Sequence, residues 1–369
     1  MIEYELKGPL SQQRTRIRLG ASLKENHFPQ AVIIEGLPGI GKKALAMELS
    51  KALCCTNASQ RPCGECFGCK MSVNSGAVEN WVIPLESKEA KAKKASDVSE
   101  GSSAKTVEEF TQVYIQKIIE NPYSIDYLSA AAEISVDLIR SLTGRFSLKN
   151  DRVRCVIIAE ADRMNESASN ALLKTLEEVP PNTYFILTTS SKEQLLQTIR
   201  SRCLSIHLPP LSSEEVRDLA SQYVNIPISD DVLGLSQGSV GRAIYYASKA
   251  TELQDLALEF LESSISGNYS DLFFNLDSEE LKDPAVAILF LEVLSFLITD
   301  IVRDMSGAPL RLAETTRQFK DKENTPLDLN AYTVALQSVQ ETMYRIGTRR
   351  TSALVCLQSL AIKLFDGFR

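Results

Sequence analysis

A short apolar run, Ala31-Val32-Ile33-Ile34-Glu35, breaks directly into Gly36-Leu37-Pro38-Gly39-Ile40-Gly41-Lys42-Lys43, and helical spacing resumes from Lys42 to Leu53. An apolar run of this length that ends in glycines is the pattern of a strand buried on both faces. A strand that feeds a glycine-rich turn and then a helix opens a parallel α/β domain. The turn fits G-x-x-x-x-G-K. Its glycines let backbone N–H groups converge on phosphate oxygens at a helix N-terminus, and the lysine adds a point charge. Gly36, Gly39, Gly41 and Lys42 are therefore candidate phosphate-binding residues, with Lys43 beside them.

Lys43 is the departure from the pattern. Ser or Thr at that position gives a hydroxyl to magnesium, whereas an ammonium cannot ligate a cation and adds positive charge beside it. The next buried strand, Arg152 to Ile158, leads into Ala159-Glu160-Ala161-Asp162. A hydrolysing protein usually ends this strand in Asp-Glu, the Asp holding magnesium through water. Here Ala159 takes the metal-side position and only Glu160 remains. Two losses at one metal make hydrolysis by this chain unexpected. They favour impaired or absent binding of ATP with magnesium.

The rest of the first half continues the alternation. A helix from about Glu166 to Glu178 is closed by Pro180-Pro181, a strand follows at Tyr184 to Thr189, then a helix at Glu193 to Thr198 and a short strand at Leu204 to Ile206. A helix from Ser11 to Glu25 precedes the first strand. The expected product is a parallel sheet with its nucleotide edge at the strand C-termini. From Leu211 the pattern becomes helical. One long amphipathic segment begins at Asp283-Pro284 as N-cap and N1. It carries Ala287, Leu289, Phe290, Val293, Leu294, Leu297 and Ile301, read either as internal core or as a face for sister subunits.

Four cysteines cluster after the glycine-loop helix, as Cys54-x8-Cys63-x2-Cys66-x2-Cys69. Two C-x-x-C steps bring sulfurs together on tight turns, with Gly64 and Gly68 easing the backbone round an ion. Four thiolates satisfy structural zinc and leave no open position for catalysis. Cys55 is an alternative first ligand that spacing does not separate from Cys54. Cys155, Cys203 and Cys356 are scattered and read as core.

The chain has 369 residues, enough for two or three domains, and a net charge of -7. A protein that grips DNA unaided usually shows a basic excess. No apolar run reaches the roughly 18 residues of a membrane span, and the N-terminus lacks a secretory pattern. A cytoplasmic location without membrane association is expected. Residues 85–106 are rich in Lys, Ser, Glu and Ala, and read as a solvated, disordered insertion.

Asn170-Ala171-Leu172-Leu173-Lys174-Thr175-Leu176-Glu177-Glu178 with Pro180-Pro181, and Ser201-Arg202-Cys203, resemble the clamp-loader branch of the AAA+ proteins. The cysteines after the loop helix are similar to those of bacterial DNA polymerase III loader subunits. The resemblance covers about 31–84 and 133–243. It implies an AAA+ P-loop domain over 1–208 with a zinc module at 54–69, a small helical lid over 209–250, and an all-α collar over 251–369. It further implies a ring that loads the sliding clamp on primed DNA. With its degenerate loop the chain looks like a delta-prime type of subunit, partnered by delta and gamma/tau, rather than the hydrolysing gamma/tau type. By resemblance Arg202 is an arginine finger acting in trans, Thr188 lies where the family senses phosphate (Thr189 beside it), and Arg242 falls at the lid position that contacts nucleotide.

Overall fold

The computed structural model describes residues 2–25, 27–73, 80–85, 106–125, 132–144, 152–268, 270, 273, 276, 280–322, 328–349 and 351–368. The expected insertion at 85–106 lies outside them, apart from Leu85 and Thr106. The chain divides into two compact units, one of Met1–Ile125 with Ala132–Ser212 and the other containing Ser213–Arg369.

In chain order the first unit comprises β1 (Glu3–Tyr4), α1 (Gln13–Lys24), β2 (Ala31–Glu35), α2 (Lys42–Cys54), β3 (Gln60–Arg61) and α3 (Phe67–Met71). It continues with β4 (Trp81–Val82), α4 (Val107–Glu120), α5 (Val136–Gly144), β5 (Arg154–Ile158), α6 (Glu166–Glu177), β6 (Thr183–Thr189), α7 (Gln197–Arg200) and β7 (Leu204–His207). Five strands form one sheet in the order β4-β5-β6-β2-β7, every neighbouring pair parallel. A parallel sheet needs both faces covered, and the strand period of two divides its side chains between two cores. Val32, Ile34, Cys155, Ile157 and Ile186 join α1, α2 and α4 on one face. Ala31, Ile33, Val156, Ile158, Phe185 and Leu187 join α5, α6 and α7 on the other. The expected strand 31–35 thus has its apolar residues buried on both faces.

Helix starts follow local chemistry. Asn165 caps α6 by accepting the Ala168 N–H at 2.9 Å. Thr106 and Glu109 form a reciprocal capping box at the head of α4. The helix expected at Glu193 to Thr198 is instead a 3₁₀ turn, Lys192–Gln194, followed by the short α7. Leu195 between them is extended and buried, so burying that side chain overrides helical continuity.

The second unit is helical throughout its described residues: α8 (Ser213–Ala220), α9 (Asp230–Ser236), α10 (Val240–Ser266), α11 (Pro284–Met305), α12 (Ala313–Lys322), α13 (Leu329–Arg349) and α14 (Ala353–Gly367). The expected lid-to-collar boundary at 250 falls inside α10, one continuous helix of 27 residues. The apolar positions named on α11, Ala287 to Ile301, are all buried within this chain, which favours the core reading. Phe260 and Phe290 meet edge to face at 5.5 Å there. Described helices include none long and apolar enough to cross a membrane.

Asp231 ties this unit together. It is 5 % exposed, and its carboxylate accepts the N–H groups of Glu314 and Thr315 and the Thr315 hydroxyl, the last at 2.7 Å. It therefore serves α12 as a cap supplied from a distant helix. Asp231→Ala strands those donors and should cost about 2–3 kcal/mol of unfolding free energy, measured by urea denaturation of the full chain. A change near zero would show that the cap is redundant.

Candidate functional site

Glu35 ends β2 between β6 and β7, so the glycine loop emerges at the C-terminal edge of the sheet. Gly39 and Gly41 have φ of 74° and 101°, conformations that side chains rarely adopt. Gly41 is also pressed from outside, since a Cβ there would stand 2.7 Å from Pro9. Gly36 leaves room of another kind, for its Cβ would meet the Leu208 carbonyl at 2.8 Å. The loop is thereby locked between the end of β7 and the N-terminal segment.

Lys42 opens α2 and is 6 % exposed. Its Nζ donates to the carbonyls of Gly36 (2.7 Å) and Leu37 (2.8 Å) and to Ser190 Oγ (3.0 Å). Burial, reinforced by the neighbouring Lys43 charge, pushes the amine down to about 7, against the opposing pull of Glu160 and Asp162. Thr188 and Thr189 do not reach this amine through any hydrogen bond seen here. Thr188 Oγ1 accepts the Glu160 N–H at 3.1 Å, and Thr189 Oγ1 accepts the Ser191 N–H at 3.0 Å. The hydroxyl on Lys42 belongs to Ser190, one residue past the strand, where the side chain can turn toward the loop.

Lys43 stands where the magnesium hydroxyl is expected. Its Nζ lies 3.8 Å from Glu160 Oε1, both side chains largely buried, and 4.7 Å from the centre of the Tyr114 ring. Glu160 has left-handed backbone, φ 51° and ψ 53°. Its carboxylate also accepts the Tyr114 hydroxyl at 3.2 Å and faces Arg163 Nε at 3.1 Å. Opposite charges about 4 Å apart attract by ~4 kcal/mol under the screening typical of protein surfaces, much of it offset by desolvation. The strand's one remaining acid is thus committed to two cations and a phenol. Ala159 beside it is fully buried and offers a metal nothing. Neither Tyr114 nor Arg163 is singled out by the loop motif. Arg163 has a sequence signal in its i,i+3 spacing from Glu160; Tyr114 comes from α4, far along the chain.

The four converging sulfurs are those of Cys55, Cys63, Cys66 and Cys69, all within 4.8 Å of one another. The expected ligand Cys54 is replaced by its neighbour, for a geometric reason. Cys54 is the last residue of α2 and its thiol lies among Ser50, Ser72 and Cys155, where burial pushes it up to about 11. Cys55 follows in extended conformation, φ −68° and ψ 130°, and leaves the helix toward the 63–69 loop. Gly68 is needed because a Cβ there would lie 1.8 Å from the Cys54 carbonyl. A zinc tetrahedron with bonds of about 2.3 Å has edges of roughly 3.8 Å, and Cys66 Sγ lies 3.8 Å from Cys55 Sγ. The N–H of Cys66 approaches Cys63 Sγ and the N–H of Cys69 approaches Cys66 Sγ, bonds that favour thiolates. Burial works to raise the Cys66 thiol, but the Cys69 N–H with donors from Thr56 and Cys63 brings it down to about 5. The donor set fits a tetrahedral soft metal such as zinc, which would fasten the 55–69 loop to the end of α2.

Arg202 follows α7 and is partly exposed. Its Nη2 meets Glu177 Oε1 at 2.9 Å, and Nη1 donates to the Thr198 carbonyl at 3.1 Å. Arg242, in the second unit, pairs through Nη2 with Glu292 Oε2 at 2.8 Å, an oxygen that also accepts the Tyr246 hydroxyl.

A family model described as DNA polymerase III, delta subunit, matches residues 11–212, more than half of the chain. The chain belongs to this family and so to the clamp-loader proteins of DNA polymerase III. It is 26% identical over 300 residues to DNA polymerase III subunit delta' of Escherichia coli K12, covering 79% of this chain and 75% of the relative. It is 27% identical over 254 residues to subunit tau/gamma of Haemophilus influenzae, covering 67% of this chain and 31% of the relative. The tau subunit of Escherichia coli is 23% identical over 390 residues, covering 95% and 53%. The chain therefore spans from about a third to half of these tau-type relatives.

Two outcomes test the site. Cys55→Ser should abolish bound zinc in elemental analysis of the purified chain, while Cys54→Ser should retain it; the reverse order would reinstate Cys54. For Lys42, the folded value lies below the unfolded one, so between about 7 and 10.5 the unfolded chain binds more protons. This group's contribution to stability consequently rises with pH across that window. Melting temperatures followed from neutral to alkaline pH should climb more in the wild type than in Lys42→Met, and parallel curves would refute the depressed amine.

Proposed function

We propose that this chain is a delta-prime-type subunit of a DNA polymerase III clamp loader, a non-hydrolysing stator that assists a neighbouring ATPase. The observation that carries the proposal is Lys43. Its ammonium pairs with Glu160 in the position of a magnesium ligand, beside an alanine in the position of the metal-holding aspartate. The γ-phosphate of ATP is cleaved only when charge developing on its oxygens is neutralised, chiefly by magnesium. A loop with no hydroxyl and no free strand carboxylate lacks that means.

In this proposal delta and gamma/tau are the partner subunits, and the sliding clamp and primed DNA are met through the assembly. This agrees with the net charge of -7, which disfavours an independent grip on phosphate backbones. The first unit is the AAA+ domain with its zinc module, and the helical second unit supplies lid and collar. Arg202 acts in trans on a neighbour's γ-phosphate. A guanidinium partly exposed and bound to Glu177 is suited to exchange one anion for another, and charge supplied across an interface is worth orders of magnitude in turnover. A hydrolysing gamma/tau-like subunit is the alternative, favoured by the retained Lys42 and by the tau/gamma relative; it requires magnesium-dependent turnover by the isolated chain.

Arg202→Ala should fold and assemble normally yet lower DNA-stimulated ATP hydrolysis of the reconstituted loader by ~10-fold or more. Unchanged turnover would remove the finger role, and robust metal-dependent phosphate release by the chain alone would overturn the stator.

A further inference from the structure

A second concavity lies at the other end of the sheet from the glycine loop. Arg152, Val153 and Arg154 lead into β5, and Cys54 closes α2, so both segments meet at the N-terminal edge of the strands. Between them and the 63–69 loop opens a cavity of about 760 Å³, in the size range of pockets built for ligands, roughly 300–1,000 Å³. Phe67 and Gly68, which lie between the converging Cys66 and Cys69, form part of its wall.

The charge of this cavity is of one sign. Arg61, Arg152 and Arg154 line it, and none of the described residues around it is acidic. Arg61 is partly buried, and its Nε is held by the Asn57 carbonyl at 2.7 Å. It forms no ion pair with any described residue. Such a guanidinium has given up part of its water without gaining a counter-charge, and its planar fork has the geometry that takes a carboxylate.

The apolar lining is a separate observation. Phe67 is 60 % exposed, with the Arg152 guanidinium 4.9 Å from its ring centre. Leu53, Met71 and Trp81 continue the apolar surface inward, and an unbranched methionine adapts to more than one guest shape. An exposed aromatic at the entrance to an apolar hollow, under arginines, has the composition of an interaction site.

We propose that this cavity binds an acidic peptide segment of a partner protein, an apolar side chain of the segment entering beside Phe67 and Met71 while its carboxylates meet the arginines. Single-stranded nucleic acid fits less well. It requires a track of cations along successive phosphates, whereas three arginines here enclose one bounded hollow in a chain of net charge -7. Nothing in this site draws on Lys42, Lys43 or Arg202, so it stands apart from the stator reading.

Trp81 is the single tryptophan of the chain, so its fluorescence reports on this cavity. The full chain is titrated, by fluorescence and by calorimetry, with end-blocked peptides in which phenylalanine or leucine is flanked by aspartates. The comparison ligands carry lysines for the aspartates or alanine for the apolar residue, and oligothymidylate is the nucleic-acid probe. The acidic apolar peptides should change Trp81 emission saturably, the lysine peptides should not bind, and the alanine peptides should bind several-fold more weakly. Arg61→Ala and Arg152→Ala should each weaken binding by roughly tenfold, the value of one charge-assisted contact. Phe67→Ala should weaken it several-fold, with the melting temperature unchanged. Arg152 is exposed, so its variant keeps the test decisive even where Arg61→Ala disturbs the fold. Equal binding of acidic and basic peptides, tighter binding of oligothymidylate, or no saturable response to any acidic peptide by either method overturns the inference.

Discussion

The carboxylate of Glu160 organises the edge of the sheet on which the candidate site is built. It follows β5 in a left-handed conformation, its own N–H anchored to Thr188 of β6. Its oxygens then gather Lys43 from the loop helix, Tyr114 from α4 and Arg163 from the following turn. Four segments distant in sequence are thereby joined at one acid. A largely buried carboxylate is tolerated only when opposite charge and donors compensate its desolvation, so these partners and the acid depend on one another. The same compensation removes the acid from service as a base.

Charge balance around Lys42 and Lys43 follows from that arrangement. A divalent ion at this edge would compete with an ammonium already in place and would find an alanine where a carboxylate is needed. The loop glycines and the metal-handling positions are different atoms of one loop, so the loop's shape persists although the hydroxyl and the strand acid are gone. The chain keeps the strand–loop–helix shape of a P-loop domain without the hydroxyl and the strand acid that usually hold magnesium.

The cysteine cluster shows how one residue of register decides a ligand. Cys54 and Cys55 are equivalent in spacing, but the helix ends between them. The side chain of the last helical residue turns back over the core of the unit, while the next residue is extended and faces the loop. The close approach of Gly68 to the Cys54 carbonyl then brings the loop against the helix end. This contact leaves the four thiols within reach of one ion.

Much of the first unit was legible in the sequence because its signals are local. The apolar run before Gly36, the glycines of the loop and the continuous apolar runs of β5 and β6 follow from covalent geometry and burial, and they pointed to the strands, the loop and a parallel order. The absence of a hydroxyl at 43 and of an acid at 159 was likewise visible directly. What the sequence left open depended on how distant segments fold back on one another. Tyr114 on Glu160, Ser190 rather than Thr188 on Lys42, Cys55 in place of Cys54, and the burial of the apolar α11 face are all tertiary facts. Each depends on the direction of a side chain fixed by packing in three dimensions, and no spacing along the chain encodes that direction.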